Sequence, residues 1–140
     1  MKPKTINLWY WTLTVPFALL MFMDGIGGLM RAEAGQEVMR HLGYPLYVLS
    51  IFGMAKVLGA IGLIQPWYPT LKEWAFAGFT INFIGAAASR AYVGDAMSLI
   101  LMPLVMLALL LGLYVLGKKR DRMRGKSLEL RYSTDMRKLA

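Results

Sequence analysis

Four apolar stretches, each close to the ~20 residues that carry a helix across a bilayer, take up most of the chain. They run about Ile6–Met30, Pro45–Gln65, Leu71–Tyr92 and Ala96–Gly117. The last has no charged residue among its 22, the first carries only Asp24, and the second only Lys56. In the third, 16 uncharged residues separate Glu73 from Arg90. That separation is about 24 Å at helical rise, which puts both charges at the interfaces. Backbone polar groups in lipid must be satisfied within their own segment, so these stretches predict helices. The fold class is therefore all-α: a polytopic membrane protein, a four-transmembrane-helix bundle with a short interfacial helix between spans one and two. A hydrophobic content of 57% agrees, being high for a soluble domain. Residues 1–117 form the membrane domain, and 118–140 a basic cytoplasmic C-terminal tail.

Lys2 and Lys4 give the chain a positive start, and Ala32-Glu33-Ala34 resembles a cleavage site. The apolar stretch between them is well beyond the roughly 7–15 residues of a signal core, so it reads as a span. Basic residues then set the orientation. Lys2, Lys4, Lys72 and the nine that follow Leu116 fall on one side, against Arg31, Arg40 and Arg90 on the other. This bias predicts both termini in the cytoplasm, and the expected setting is a bacterial-type inner (plasma) membrane. Trp9, Trp11, Trp67 and Trp74 fall at the inner interface, and Tyr44, Tyr47 and Tyr92 at the outer one.

The connections carry local signals. Ala32–Leu42 reads as the interfacial helix, stopped by Gly43, with Pro45 in the first turn of span two. Thr70-Leu71-Lys72-Glu73 fits a capping box, which makes Glu73 a cap rather than a catalytic acid. Asp95 reads as the N-cap of span four, after Gly94 closes span three. Pro16 and Pro103 are expected to bend spans one and four.

The absence of cysteine and a single histidine, His41, remove several chemistries. Thiolate nucleophiles, disulfides, iron–sulfur clusters, bis-histidine haem and multi-histidine metal sites all lack their ligands in this chain. No metal is expected, His41 reads as a solvated loop residue, and redox chemistry would need an organic cofactor or a partner subunit. The basic tail lacks a nucleic-acid motif and reads as a topology signal and a lipid-headgroup contact.

What remains is a small polar set in the apolar core. A lysine near a span centre costs roughly 2.5–3.5 kcal/mol on insertion scales, so Lys56 needs a partner or a task. Small residues flank it at helical spacing: Gly53, Gly59, Ala60 and then Leu63 on span two. Ala75, Gly78, Asn82, Gly85, Ala86 and Ser89 form a similar stripe on span three. Small side chains let helix backbones approach in lipid, which puts Lys56 and Asn82 on packed faces. Both lie near the midplane, with Asp24 about 9 Å and Arg90 about 13 Å towards the outer side. Lys56–Asp24 pairing is within reach, and Arg90 could meet Asp24 from above. Catalytic residues are not indicated. Asp24, Lys56, Asn82 and Arg90 are read either as a structural ion pair with an asparagine cross-link, or as a ligand pocket for a polar head group such as a quinone carbonyl.

The runs RHLGYPLYVLSIFGMAKVLGAIGLI and PTLKEWAFAGFTINFIGAAASRAYVGD resemble the DoxX-like membrane proteins, over about Met21–Asp95. The resemblance implies a four-helix membrane bundle. Some relatives are subunits of thiosulfate:quinone oxidoreductase and others accompany membrane redox complexes. It therefore implies an accessory membrane subunit or ligand-binding module of quinone-linked redox metabolism, with a soluble or membrane redox partner, rather than an independent enzyme. Self-association is compatible with the small-residue faces. The alternatives are a structural or assembly protein anchoring a soluble partner through its tail, and a small transporter.

Overall fold

The computed structural model describes residues 2–140, and they are helical almost throughout. The helices are α1 (Pro3–Leu29), α2 (Glu33–Leu42), α3 (Tyr47–Ile64), α4 (Pro69–Tyr92) and α5 (Met97–Leu139). No strand occurs among the described residues. Helices α1, α3 and α5 are long and apolar enough to cross a membrane. The 24-residue α4 is as long, but Thr80, Asn82, Ser89 and its glycines and alanines dilute its apolar character below that of the other three.

The four long helices close a ring in which α1 packs on α3, α3 on α4, α4 on α5 and α5 on α1, while α2 lies against α3. The core inside the ring is aromatic at its centre. Phe17 meets Phe79 and Phe83 edge-on at 6.0 and 6.3 Å between ring centroids, and Phe79 stacks on Phe83 at 6.2 Å. Met21, Ala60, Leu63, Leu110 and Leu113 fill the space around them. The large apolar residues pointing away from the ring, among them Leu19, Met23, Ile81 and Met102, are more than half exposed. Such a surface suits lipid rather than water.

The α1–α3 contact is the closest approach. A Cβ on Gly25 would lie 2.8 Å from the Gly53 carbonyl oxygen, and one on Gly53 would lie 2.7 Å from both the Gly25 carbonyl oxygen and the Leu29 nitrogen. Only glycine permits this backbone-on-backbone packing. The stripe on α3 is thus packed as the sequence predicts. On α4 the outcome differs. The buried face is Ala75, Phe76, Phe79, Phe83 and Ala87, while Gly78 and Gly85 are exposed and Asn82 is half-buried. The phenylalanines gain edge-to-face and stacked contacts with Phe17 and with each other on the packed face, so they turn inwards and the stripe is left at the rim.

The connections follow the sequence in part. Gly43 ends α2 in the left-handed region (φ 80°), and Gly94 does the same beyond α4 (φ 77°). Arg31 also has a positive φ of 52°, between α1 and α2, where its carbonyl accepts a hydrogen bond from the Gln36 amide at 2.6 Å. Two expected caps do not form. Helix α4 starts at Pro69 with Glu73 paired to Lys118 of α5, and the α5 N-cap is Ala96 rather than Asp95. In both cases side-chain partners, Lys118 for Glu73 and Arg90 with His41 for Asp95, take the carboxylate in place of a local backbone amide. Neither Pro16 nor Pro103 interrupts its helix, and residues 118–139 continue α5 without a break.

Candidate functional site

The glycine contact between α1 and α3 also positions the charged pair. Asp24 precedes Gly25, and Lys56 lies one turn beyond Gly53, so backbone contact at the glycines brings the two side chains together. The Lys56 ammonium donates to Asp24 Oδ2 in a salt bridge. The lysine side chain is 24% exposed and the carboxylate 54%, so the pair sits at the rim of the ring rather than within the phenylalanine core.

On its other side Lys56 borders a groove of about 500 Å³ between α3 and α4. It is lined by the small residues Gly59, Gly62, Ala75 and Gly78 and by the larger Ile61, Leu71, Trp74 and Phe79. Lys56 and Asn82 stand at one end and Gln65 at the other. The Gln65 side chain is committed to the α3–α4 turn, donating to the Gly62 and Tyr68 carbonyls and accepting from the Tyr68 amide. Asn82 enters no side-chain hydrogen bond among the described residues, where Thr80 nearby bonds the Phe76 carbonyl. The groove thus offers an apolar slot with an ammonium and an amide at one end. A second groove of about 700 Å³ lies between α1 and α5, and its lining, from Leu13 and Pro16 to Gly112 and Leu116, has no polar side chain.

Arg90 does not join Asp24. It donates to Asp95 Oδ2 at 2.9 Å, and His41 of α2 meets Asp95 Oδ1 at 2.5 Å. Three of the four predicted residues therefore cluster, Lys56 with Asp24 and beside Asn82, and the fourth belongs to a separate site. This His41–Asp95–Arg90 arrangement is one that the sequence reading missed. The Asp95 side chain is 7% exposed and bound from both sides. The hydrogen bond from His41 holds its carboxyl below the ordinary aspartate range, with Arg90 adding to the effect against the cost of burial. Next to it, the Tyr44 and Ser89 hydroxyls share a hydrogen bond of 2.6 Å. The cluster ties α2 to the end of α4 and the turn into α5. The signal in the sequence was slight: one histidine, and one aspartate whose local context fitted a cap.

At the opposite end, Arg120 is buried, with its guanidinium 4.1 Å from the Tyr10 ring centroid and 5.5 Å from that of Trp11. Lys72 approaches the same two rings at 5.5 and 5.7 Å. Among the described residues no group of acidic, histidine or cysteine side chains could hold a metal ion.

The model of the DoxX-like family matches residues 12–113, extending at both ends beyond the runs that carry the resemblance. No curated protein and no solved structure matches the chain. Together with three helices of membrane-crossing length and apolarity, the match makes this an integral membrane protein.

Proposed function

The chain belongs to the DoxX-like family, and on that premise we propose that it is a four-span inner-membrane subunit with cytoplasmic termini that holds a quinone-like ligand between α3 and α4. The observation that carries this reading is the α3–α4 groove, apolar along its length with Lys56 and Asn82 at one end. A quinone has the matching shape, with a flat ring, carbonyl acceptors and an apolar tail. The Lys56 ammonium has three N–H donors and gives one to Asp24, which leaves donors for a ligand carbonyl. The Asn82 amide supplies another. Gly78 leaves open space beside the groove, while Gly59 and Gly62 let Phe79 and Ala75 close in along it, and the open side of the groove lets a tail run into lipid. Pairing with Asp24 holds the lysine side chain in position, so the structural and ligand-binding readings of the pair are compatible. With no thiolate or metal set, electrons would pass between this ligand and a partner subunit, which makes the chain an accessory component of quinone-linked redox metabolism and not an enzyme by itself.

Mass spectrometry of the lipid extract from purified protein tests this directly. A retained quinone is expected, and Lys56→Ala and Asn82→Ala should each lower the amount retained more than they lower thermal stability. If Lys56→Met retains the quinone in full and raises the melting temperature, the pair is structural only and the reading fails.

A further inference from the structure

Beyond Arg120, α5 leaves the ring. Arg120 is the last buried residue of the helix, and between Asp121 and Leu139 only Met123 and Ser133 are even half-buried. This stretch prolongs the helix by about 28 Å at helical rise. Its residues are not distributed evenly around the axis. Leu128, Tyr132, Met136 and Leu139 follow each other at intervals of four, four and three, which puts them on one face, and all four are more than half exposed. Basic residues occupy the flanks and the opposite side. From Lys118 to Leu139 there are nine Lys and Arg against Asp121, Glu129 and Asp135, a net charge of +6.

A helix with this pattern has two unmet demands, cover for an apolar stripe and anions for its cations. A second copy of the same helix meets the first and worsens the second through like-charge repulsion. A bilayer surface bearing anionic lipid meets both. The stripe enters the acyl boundary and the cations reach the phosphates, as in interfacial amphipathic helices and juxtamembrane basic clusters. The helix is rooted where such a surface lies, because Arg120 against Tyr10 and Trp11, and Lys118 on Glu73, fix its base to the end of the ring. Gly125 follows that root. Nothing lies within 4 Å of where its Cβ would be, and an exposed glycine is the weakest point of a helix for bending.

We propose that residues 126–139 bend at Gly125 and lie on an anionic lipid surface beside the bundle, with Leu128, Tyr132, Met136 and Leu139 inserted. The proposal rests on the membrane reading of the bundle but not on which side is cytoplasmic, since a lipid disc presents the same lipid to both faces. It also stands apart from the quinone groove, so either can fail alone.

Because the chain has no cysteine, single labels are unambiguous. Leu128→Cys on the apolar face and Thr134→Cys on the opposite one, each in the full chain, would carry an environment-sensitive fluorophore. The protein is placed in discs of phosphatidylcholine alone or mixed with phosphatidylglycerol. In the anionic discs the label at position 128 should shift its emission to the blue and lose quenching by acrylamide, while that at position 134 stays quenchable. High salt should reverse the shift, and Gly125→Ala should reduce it without changing the melting temperature of the bundle. Equal quenching of the 128 label in both discs would overturn the proposal, as would identical shifts at both positions or a shift that salt leaves unchanged. Protection of the 128 label only after a soluble acidic protein is added would also overturn it, in favour of a protein partner.

Discussion

Lys56 and Asp24 were legible because helical rise alone fixes depth in a span. Two opposite charges about 9 Å apart in depth, on helices that glycines bring into contact, have few other places to go. Breaking the pair from one side should cost more than removing it. Asp24→Asn leaves the lysine without its counter-charge and should lower stability by roughly 1–3 kcal/mol, with the double variant Asp24→Asn/Lys56→Met recovering most of the loss. Thermal unfolding in detergent, read as a double-mutant cycle, checks this. Asp95 makes a second residue-level prediction. Its carboxyl is held below the ordinary value by the His41 hydrogen bond and by Arg90, so it contributes stability above that value, about pH 3.9, which is lost as pH falls through the lower value of the folded state. Protection of the α2 amides, taken relative to the intrinsic exchange rate at each pH, should therefore fall in acid below about pH 4. Asp95→Asn should abolish that pH dependence and leave α2 less protected at neutral pH.

At the level of helices, the sequence identified where α1, α2, α3 and α4 lie and where α5 starts, since membrane-crossing length and the Gly43 stop are local properties. It read residues 118–139 as a tail and not as the continuation of α5. It did not identify which glycines are contacts. Gly25 and Gly27 stand two apart on α1, yet a Cβ at Gly25 would strike the α3 backbone while one at Gly27 meets nothing within 4 Å. Gly25→Ala should thus force α1 from α3 and cost about 1–3 kcal/mol. Gly27→Ala should be neutral or stabilise by up to ~1 kcal/mol through helix propensity. Melting temperatures of the two variants decide it, and similar losses in both would show that the α1–α3 contact has been misplaced. The same ambiguity misled the reading of α4, where small residues at helical spacing border the groove and phenylalanines take the packed face.

The whole molecule is a ring clamped at both ends. The His41–Asp95–Arg90 cluster joins α2, α4 and the turn into α5 at one end, and Arg120 on Tyr10 and Trp11 closes α5 onto α1 at the other. Gly117 permits that closure, since its Cβ would come within 2.9 Å of the Tyr10 ring. Arg120→Gln should cost about 1–2 kcal/mol, because the guanidinium is buried against aromatic faces where its cation–π contact is little screened. A melting temperature unchanged by the substitution would mean that the ring closes without the arginine. Loss of near-ultraviolet circular dichroism from Tyr10 and Trp11 should accompany the drop.

By itself the sequence determined the class of the fold, the membrane setting and the Lys56–Asp24 pair. Each follows from properties that act along a single segment: apolar length, charge position and rise per residue. Only the tertiary structure decided the partners of Arg90, His41, Asp95, Glu73 and Arg120, and the groove that adjoins Lys56. His41 and Asp95 are 54 residues apart, and their meeting depends on how α2 lies across the bundle end. Local pattern offered Asp95 and Glu73 as helix caps. A charged partner delivered by packing binds a carboxylate more strongly than a backbone amide does, and packing is what a one-dimensional pattern does not carry.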